Sequence, residues 1–123
     1  MYKIILYRTA NGKTPVKEYL EKLSKESKEK EIAQIKLYID RLKEDGMSVN
    51  HKFPETIRRE KGDVYALRPG SNRVFFFYYC GNEIVLLHAY KKQSQKAPQK
   101  ELKKAEKEMK DYIERNKNGK ADN

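Results

Sequence analysis

Two apolar runs, Arg73–Cys80 (RVFFFYYC) and Glu83–Tyr90 (EIVLLHAY), stand on either side of the dipeptide Gly81-Asn82. Runs this rich in Val, Ile, Phe and Tyr, split by a two-residue turn, predict a β-hairpin. Their middles are too apolar for a sheet with one wet face, so both strands are expected to be central and covered on each side. Upstream, DVYALR (Asp63–Arg68) predicts a third strand, joined to Arg73 by the turn PGSN at 69–72. The three together make an antiparallel meander.

Turn lengths then set the register, provided neither hairpin carries a bulge. The four-residue loop places Arg68 opposite Arg73. The two-residue loop places Arg73 opposite Tyr90 and Phe75 opposite His88. Alternation of side chains puts Ala66, Arg68, Arg73, Phe75, Phe77, Leu86, His88 and Tyr90 on one face. Leu67, Val74, Phe76, Tyr78, Val85, Leu87 and Ala89 fall on the other. The polar groups Arg68, Arg73, His88 and Tyr90 gather at one end of the first face.

The rest of the chain reads as cover for this sheet. YKIILYR (Tyr2–Arg8) predicts a short strand, followed by a turn at Asn11-Gly12. Thr14-Pro15 has the form of a helix start, with Val16, Tyr19, Leu20 and Leu23 at helical spacing. A second helix carries Ile32, Ile35, Leu37, Tyr38, Ile39 and Leu42 and ends at Gly46. Residues 50–60 are basic, contain Pro54 and predict irregular chain. A last helix over 99–115 presents Leu102, Ala105, Met109, Tyr112 and Ile113. The expectation is one α+β domain over residues 1–116: a small antiparallel sheet, meander plus N-terminal strand, with two N-terminal helices and one C-terminal helix. The polar tail 117–123 is expected to be unstructured.

The chain has 123 residues and a formal net charge of +10, with 28 Lys and Arg against 18 Asp and Glu. Such a surface favours a polyanionic partner, with nucleic acid the first candidate, an acidic protein the second and an anionic membrane the third. The single cysteine, Cys80, lies in an apolar run and is expected to be a small buried hydrophobe; with no second cysteine to pair with, it points to a reducing compartment. Lys3 and Arg8 interrupt the early apolar run, and no apolar segment approaches membrane-spanning length, so a cytoplasmic location is expected.

Two arginines directly opposite each other repel, and the sequence sets no carboxylate beside them. A bound anion resolves that conflict, and guanidinium forks match phosphate oxygens. Histidine changes charge near neutral pH and serves as acid or base. Tyr90 is placed to orient a phosphate or stack on a base, and Lys91 and Lys92 to neutralise further phosphates, with Lys96 a further cation nearby. His51, His88 and Cys80 lack metal-ligand spacing, and glycine-rich phosphate loops are absent, so neither a metal nor a cofactor is expected. Metal-free phosphodiester cleavage is far easier on RNA than on DNA, because the 2′-hydroxyl is an internal nucleophile. The set therefore suits an RNase that leaves a cyclic phosphate.

The stretch VYALRPGSNRVFFFYYCGNEIVLLHAYKKQSQKAP, followed by the amphipathic ELKKAEKEMKDYI and preceded by TANGKTPVKEYLEKL, resembles the RelE/HigB-type toxins of type II toxin–antitoxin systems, in their phage-related branch. The resemblance implies a RelE-like microbial RNase fold and ribosome-dependent endoribonuclease activity (an mRNA interferase) that inhibits translation. It implies an antitoxin partner, typically a helix-turn-helix, HigA-like protein, with operator DNA bound through that complex and no membrane partner. It carries the arginine opening a strand onto Arg73, the basic pair onto Lys91 and Lys92, and residues of the HigB-like branch onto Arg68 and His88. RelE itself has lysines on the strand before the turn and a tyrosine beyond the basic pair. This chain has Val64 and Ala66 on that strand and no tyrosine over 93–110; His88 and Tyr90 are the candidates for those acid–base roles, with the role of each left open by the sequence. The related ParE toxins, which inhibit DNA gyrase, are the alternative; a non-catalytic RNA-binding module is another.

Overall fold

The computed structural model describes residues 1–121, with side chains described to residue 117. Among the described residues, four helices of the α type and five strands occur in the order β1 (Lys3–Leu6), α1 (Pro15–Lys25), α2 (Glu29–Asp45), the single-turn α3 (Val49–Lys52), β2 (Ile57–Lys61), β3 (Val64–Leu67), β4 (Asn72–Tyr78), β5 (Glu83–Lys91) and α4 (Gln99–Ala121). The five strands form one sheet in the order β1-β5-β4-β3-β2. Pairing is antiparallel except for β1, which lies parallel to β5. The architecture is the expected α+β one, with a mixed rather than wholly antiparallel sheet.

The apolar middles of β4 and β5 are covered on both faces. On one, Val16 and Leu23 of α1 and Ile35 and Leu42 of α2 pack on Leu67, Val74, Phe76, Ile84 and Leu86. On the other, Leu102 and Ala105 of α4 pack on Val64, Ala66, Phe75, Phe77, Val85 and Leu87. Pro15 occupies the first helical position of α1 as expected, while Thr14 stands at the N-cap without a side-chain capping bond. Gly46 ends α2 at φ 60°, and a Cβ there would run into the Tyr2 ring. Glycine is therefore required both for conformation and for space.

Three sequence expectations are corrected. Residues 57–61 (IRREK) are a strand, not irregular chain. Their charges suit an edge position, where unpaired backbone is exposed. The Asn50 side chain closes the start of that edge, its Nδ2 donating to the Ile57 carbonyl at 2.9 Å and its Oδ1 accepting from the Ile57 N–H at 3.0 Å. Cys80 is exposed, because β4 ends at Tyr78 and the thiol belongs to the hairpin loop. The third correction is the β4–β5 hairpin, which does carry a bulge. Near the loop Tyr78 pairs with Ile84 and Phe76 with Leu86, one residue off the expected register; Phe75 then pairs with His88 and Arg73 with Tyr90. Leu87 is the extra residue. The bulge turns Val85 and Leu87 toward α4 and Leu86 toward α1 and α2, the reverse of the predicted faces, while His88 and Tyr90 keep theirs.

Helix α4 is longer than the expected 99–115. The tail expected over 117–123 falls partly on the end of that helix, and residues 122 and 123 lie outside the described residues. Among the described residues no helix is long and apolar enough to cross a membrane.

A polar clasp ties the end of β1 to α4. The buried Tyr7 hydroxyl donates to Asp111 Oδ2 at 2.6 Å, and Arg115 Nη2 donates to the same oxygen at 2.6 Å. Burial, then the Asp111 hydrogen bond, pushes the Tyr7 phenol up to about 12, and the Tyr7 hydrogen bond holds Asp111 below its usual value. A raised tyrosine pKa stabilises the fold below the unfolded value near pH 10, and that contribution is lost as pH rises through about 12. The lowered Asp111 pKa stabilises above about pH 4, a contribution lost as pH falls through its folded value. Tyr7→Phe is expected to cost about 1 kcal/mol at neutral pH. Urea denaturation at neutral pH and near pH 12 should show the deficit shrinking at the alkaline end; equal stability at neutral pH would mean the clasp contributes nothing.

Candidate functional site

The end of the sheet where β3 stops and β4 begins holds a cleft of about 270 Å³, lined by Glu55, Arg68, Gly70, Arg73, Lys92 and Gln95. Local geometry explains the gathering. Arg68 lies one residue past β3, its backbone N–H bonded to the Thr56 carbonyl at 2.9 Å. Arg73 is the second residue of β4. Lys92 follows β5, its N–H bonded to the Ser71 carbonyl at 2.9 Å, so the β4–β5 ladder carries on one step into the turn. Gly70, at φ 62°, allows that turn to fold back over Arg73.

Arg73 is buried, with 6% exposure. Its Nη1 donates to the carbonyls of Gly70 and Asn72, each at 2.8 Å. Two carbonyls thus hold one arm of the fork while the side chain lines the cleft. Burial, then the like charge of Arg68, lowers its pKa from the ordinary arginine value. The absence of a nearby carboxylate, expected from sequence, is corrected: Glu55 lies 3.6 Å from Arg68. Glu55 is highly exposed, so this pair is worth little. Three cations still face one carboxylate in the cleft.

The other predicted residues are distributed by strand alternation. Tyr90 sits across from Arg73, its ring 5.3 Å from that of Phe75, and burial, followed by Glu60, raises its phenol pKa. It lines a neighbouring cavity of about 550 Å³ together with Tyr19, Lys28, Lys91 and Glu101. Lys91 turns to the α2 side, where its Nζ donates to Glu31 Oε1 at 2.5 Å. Glu31 also accepts from Asn72 Nδ2 at 2.9 Å, and Asn72 Oδ1 accepts from the Tyr19 hydroxyl. These hydrogen bonds, Lys91 first, hold Glu31 below its usual carboxylate value. Lys96 is exposed in the loop before α4 and does not line the cleft.

His88 is placed apart from the arginines. It is 2% exposed, its Nδ1 2.6 Å from Glu108 Oε1 and its Nε2 3.0 Å from Glu101 Oε1, with Phe75 edge-on at 5.4 Å. Both ring nitrogens are engaged by α4, so neither is open to a ligand in the cleft. Sequence reasoning missed Glu101 and Glu108 as partners. Their seven-residue spacing beside the apolar positions Leu102 and Ala105 is the signal that could have found them.

The fold defines a class first: a small α+β domain compatible with the RelE-like architecture. A family model described as phage-derived protein Gp49-like (DUF891) matches residues 18–110, about three quarters of the chain. The chain belongs to this family, a type II toxin-like family related to the RelE/HigB-like toxins. No curated protein matches it.

The His88 contacts set up a graded stability test. Removing one partner of a buried polar pair strands the other. Glu108→Ala, at a carboxylate only 7% exposed, is expected to cost about 2–3 kcal/mol by urea denaturation. Glu101→Ala, at the more exposed partner, is expected to cost under about 1 kcal/mol. Equal losses would show that burial does not govern this contact.

Proposed function

We propose that this chain is the toxin of a type II toxin–antitoxin system, an endoribonuclease that cuts mRNA on the ribosome and so inhibits translation. The observation that carries the reading is the convergence of Arg68, Arg73 and Lys92 on one cleft, in a member of a toxin-like family. Three cations against one exposed carboxylate suit a phosphodiester. In the proposed reaction the 2′-hydroxyl oxygen attacks phosphorus and gives up its proton, and the bond from phosphorus to the 5′ oxygen breaks. The leaving oxygen takes a proton, and the upstream fragment keeps a 2′,3′-cyclic phosphate.

Arg73, already desolvated and held by two carbonyls, binds the non-bridging oxygens and stabilises the charge that grows on them. Arg68 and Lys92 share that charge. Glu55, at the cleft wall, is the carboxylate on hand to accept the 2′ proton, and Tyr90, across the strand pair from Arg73 and lining the neighbouring cavity, flanks the reacting group or stacks on a neighbouring base. His88 acts at one remove, fixing β5 against α4. Lys91 and Lys96 lie outside the cleft; Lys96 serves RNA binding, while Lys91 is engaged by Glu31. The partners in this reading are the ribosome with its mRNA and an antitoxin whose acidic segment meets the basic surface, operator DNA being bound through that complex.

Single-turnover cleavage on programmed ribosomes tests this. Arg73→Lys keeps the charge but loses the fork, and a rate loss of roughly a hundredfold is expected. Arg68→Ala and Lys92→Ala should each slow cleavage at least about tenfold with little change in melting temperature. Wild-type rates in all three variants would contradict the assignment. Intact messages together with collapsed supercoiling on induction would instead favour gyrase inhibition.

A further inference from the structure

The segment KELKKAEKE, residues 100–108, looks nearly balanced in sequence, with four lysines and three glutamates. The fold separates the two signs. Glu101 and Glu108 turn inward to His88. Glu106 Oε1 is held 3.3 Å from Lys61 Nζ of β2. Lys100, Lys103, Lys104 and Lys107 turn outward, all exposed, and together line a single shallow surface depression. Among the described residues, none of the four is in an ion pair.

Their placement is unfavourable for the helix on its own. Lysines at spacings of three and four repel one another. All four sit in the N-terminal half of α4, and Lys100 and Lys103 lie close to the helix's positive end. A solvated face meant only for solubility would mix the signs, and this chain has the glutamates with which to do so. The stripe runs about 10 Å along the helix axis, long enough to meet successive phosphates of one strand. It also begins close in sequence to the cleft: Gln95 lines the cleft, and Lys100 follows five residues later.

We propose that the Lys100–Lys103–Lys104–Lys107 stripe is a second RNA-binding surface, which grips the phosphate backbone outside the nucleotides held at the cleft. The proposal rests on the RNA-directed reading of the protein but concerns binding, not bond cleavage. Neutralising phosphates releases counterions, so the stripe should show in the salt dependence of affinity. It carries no base-reading geometry, so binding through it should be indifferent to sequence.

The test uses the full chain carrying Arg73→Lys, so that RNA survives, and a fluorescent RNA hairpin with a single-stranded extension. K100Q/K103Q/K104Q/K107Q should weaken binding by roughly ten- to a hundredfold near 0.1 M salt and make the log–log salt slope shallower by about two to three. The corresponding four Lys→Arg changes should restore both, which separates loss of charge from damage to the helix. With Arg73 intact, the glutamine variant should cleave at the wild-type single-turnover rate on saturating programmed ribosomes. Unchanged affinity and slope would overturn the proposal. So would a loss confined to vesicles of anionic phospholipid, which would make the stripe a membrane contact. If the slope responds while neither protein cleaves mRNA on programmed ribosomes, the stripe stands and the nuclease reading falls.

Discussion

The pairing of β4 with β5 is the interaction on which everything else depends. It joins the two most apolar strands, supplies residues to both cores, and sets which polar side chains meet at its open end. The bulge at Leu87 is the decisive detail. The hairpin loop closes over Cys80, Gly81 and Asn82, one residue wider than a two-residue turn, with the Tyr79 N–H bonded to the Glu83 carbonyl. Without a correction, Arg73 would face Ala89. The extra residue returns the register by one, so Arg73 meets Tyr90, and Leu87 and His88 both turn toward α4. A bulge placed so as to re-aim side chains near a site is a recognised use of this irregularity.

From that register follows a division of the polar set. Arg73 and Lys92 go to the cleft, with Arg68 brought in by β3. Lys91, one residue earlier than Lys92, goes to Glu31 on α2. His88 goes to the glutamates of α4. One strand end thus does three jobs: it gathers cations in the cleft, pins the N-terminal helices and pins the C-terminal helix. The two anchoring jobs also remove acidic side chains from the surface. Glu31, Glu101 and Glu108 are spent on internal partners, which leaves the cations of the cleft and of α4 facing outward with little to oppose them.

Much of this was legible in the sequence. Helices α1, α2 and α4 follow from apolar spacing, and β3, β4 and β5 from β-rich runs between turn residues. The pairs Arg73–Tyr90 and Phe75–His88 were legible too, although through two deviations that cancel rather than through a regular hairpin. Strand β2 was hidden because an edge strand needs little apolar content, and IRREK carries almost none. The bulge was hidden because EIVLLHAY is apolar at consecutive positions, so alternation cannot mark the extra residue. The exposure of Cys80 followed from the same wider loop. The anchoring of His88 depends on contacts between elements ten or more residues apart, which local pattern does not encode. Glu55 entered the cleft from the irregular segment before β2, where the sequence offered no periodicity to place it.

The central claim is that the cleft at the end of β4 and β5 receives the scissile phosphate. The most direct measurement is a crystal structure of the protein on a programmed ribosome whose mRNA carries a 2′-O-methyl group at the cleavage position, which blocks the nucleophile. The account predicts that the phosphate following the blocked sugar lies within hydrogen-bonding distance of the Arg73 guanidinium, with Arg68 and Lys92 on its other oxygens and His88 still buried between Glu101 and Glu108. A phosphate bound elsewhere, or a His88 ring released from α4 to reach it, would contradict the account.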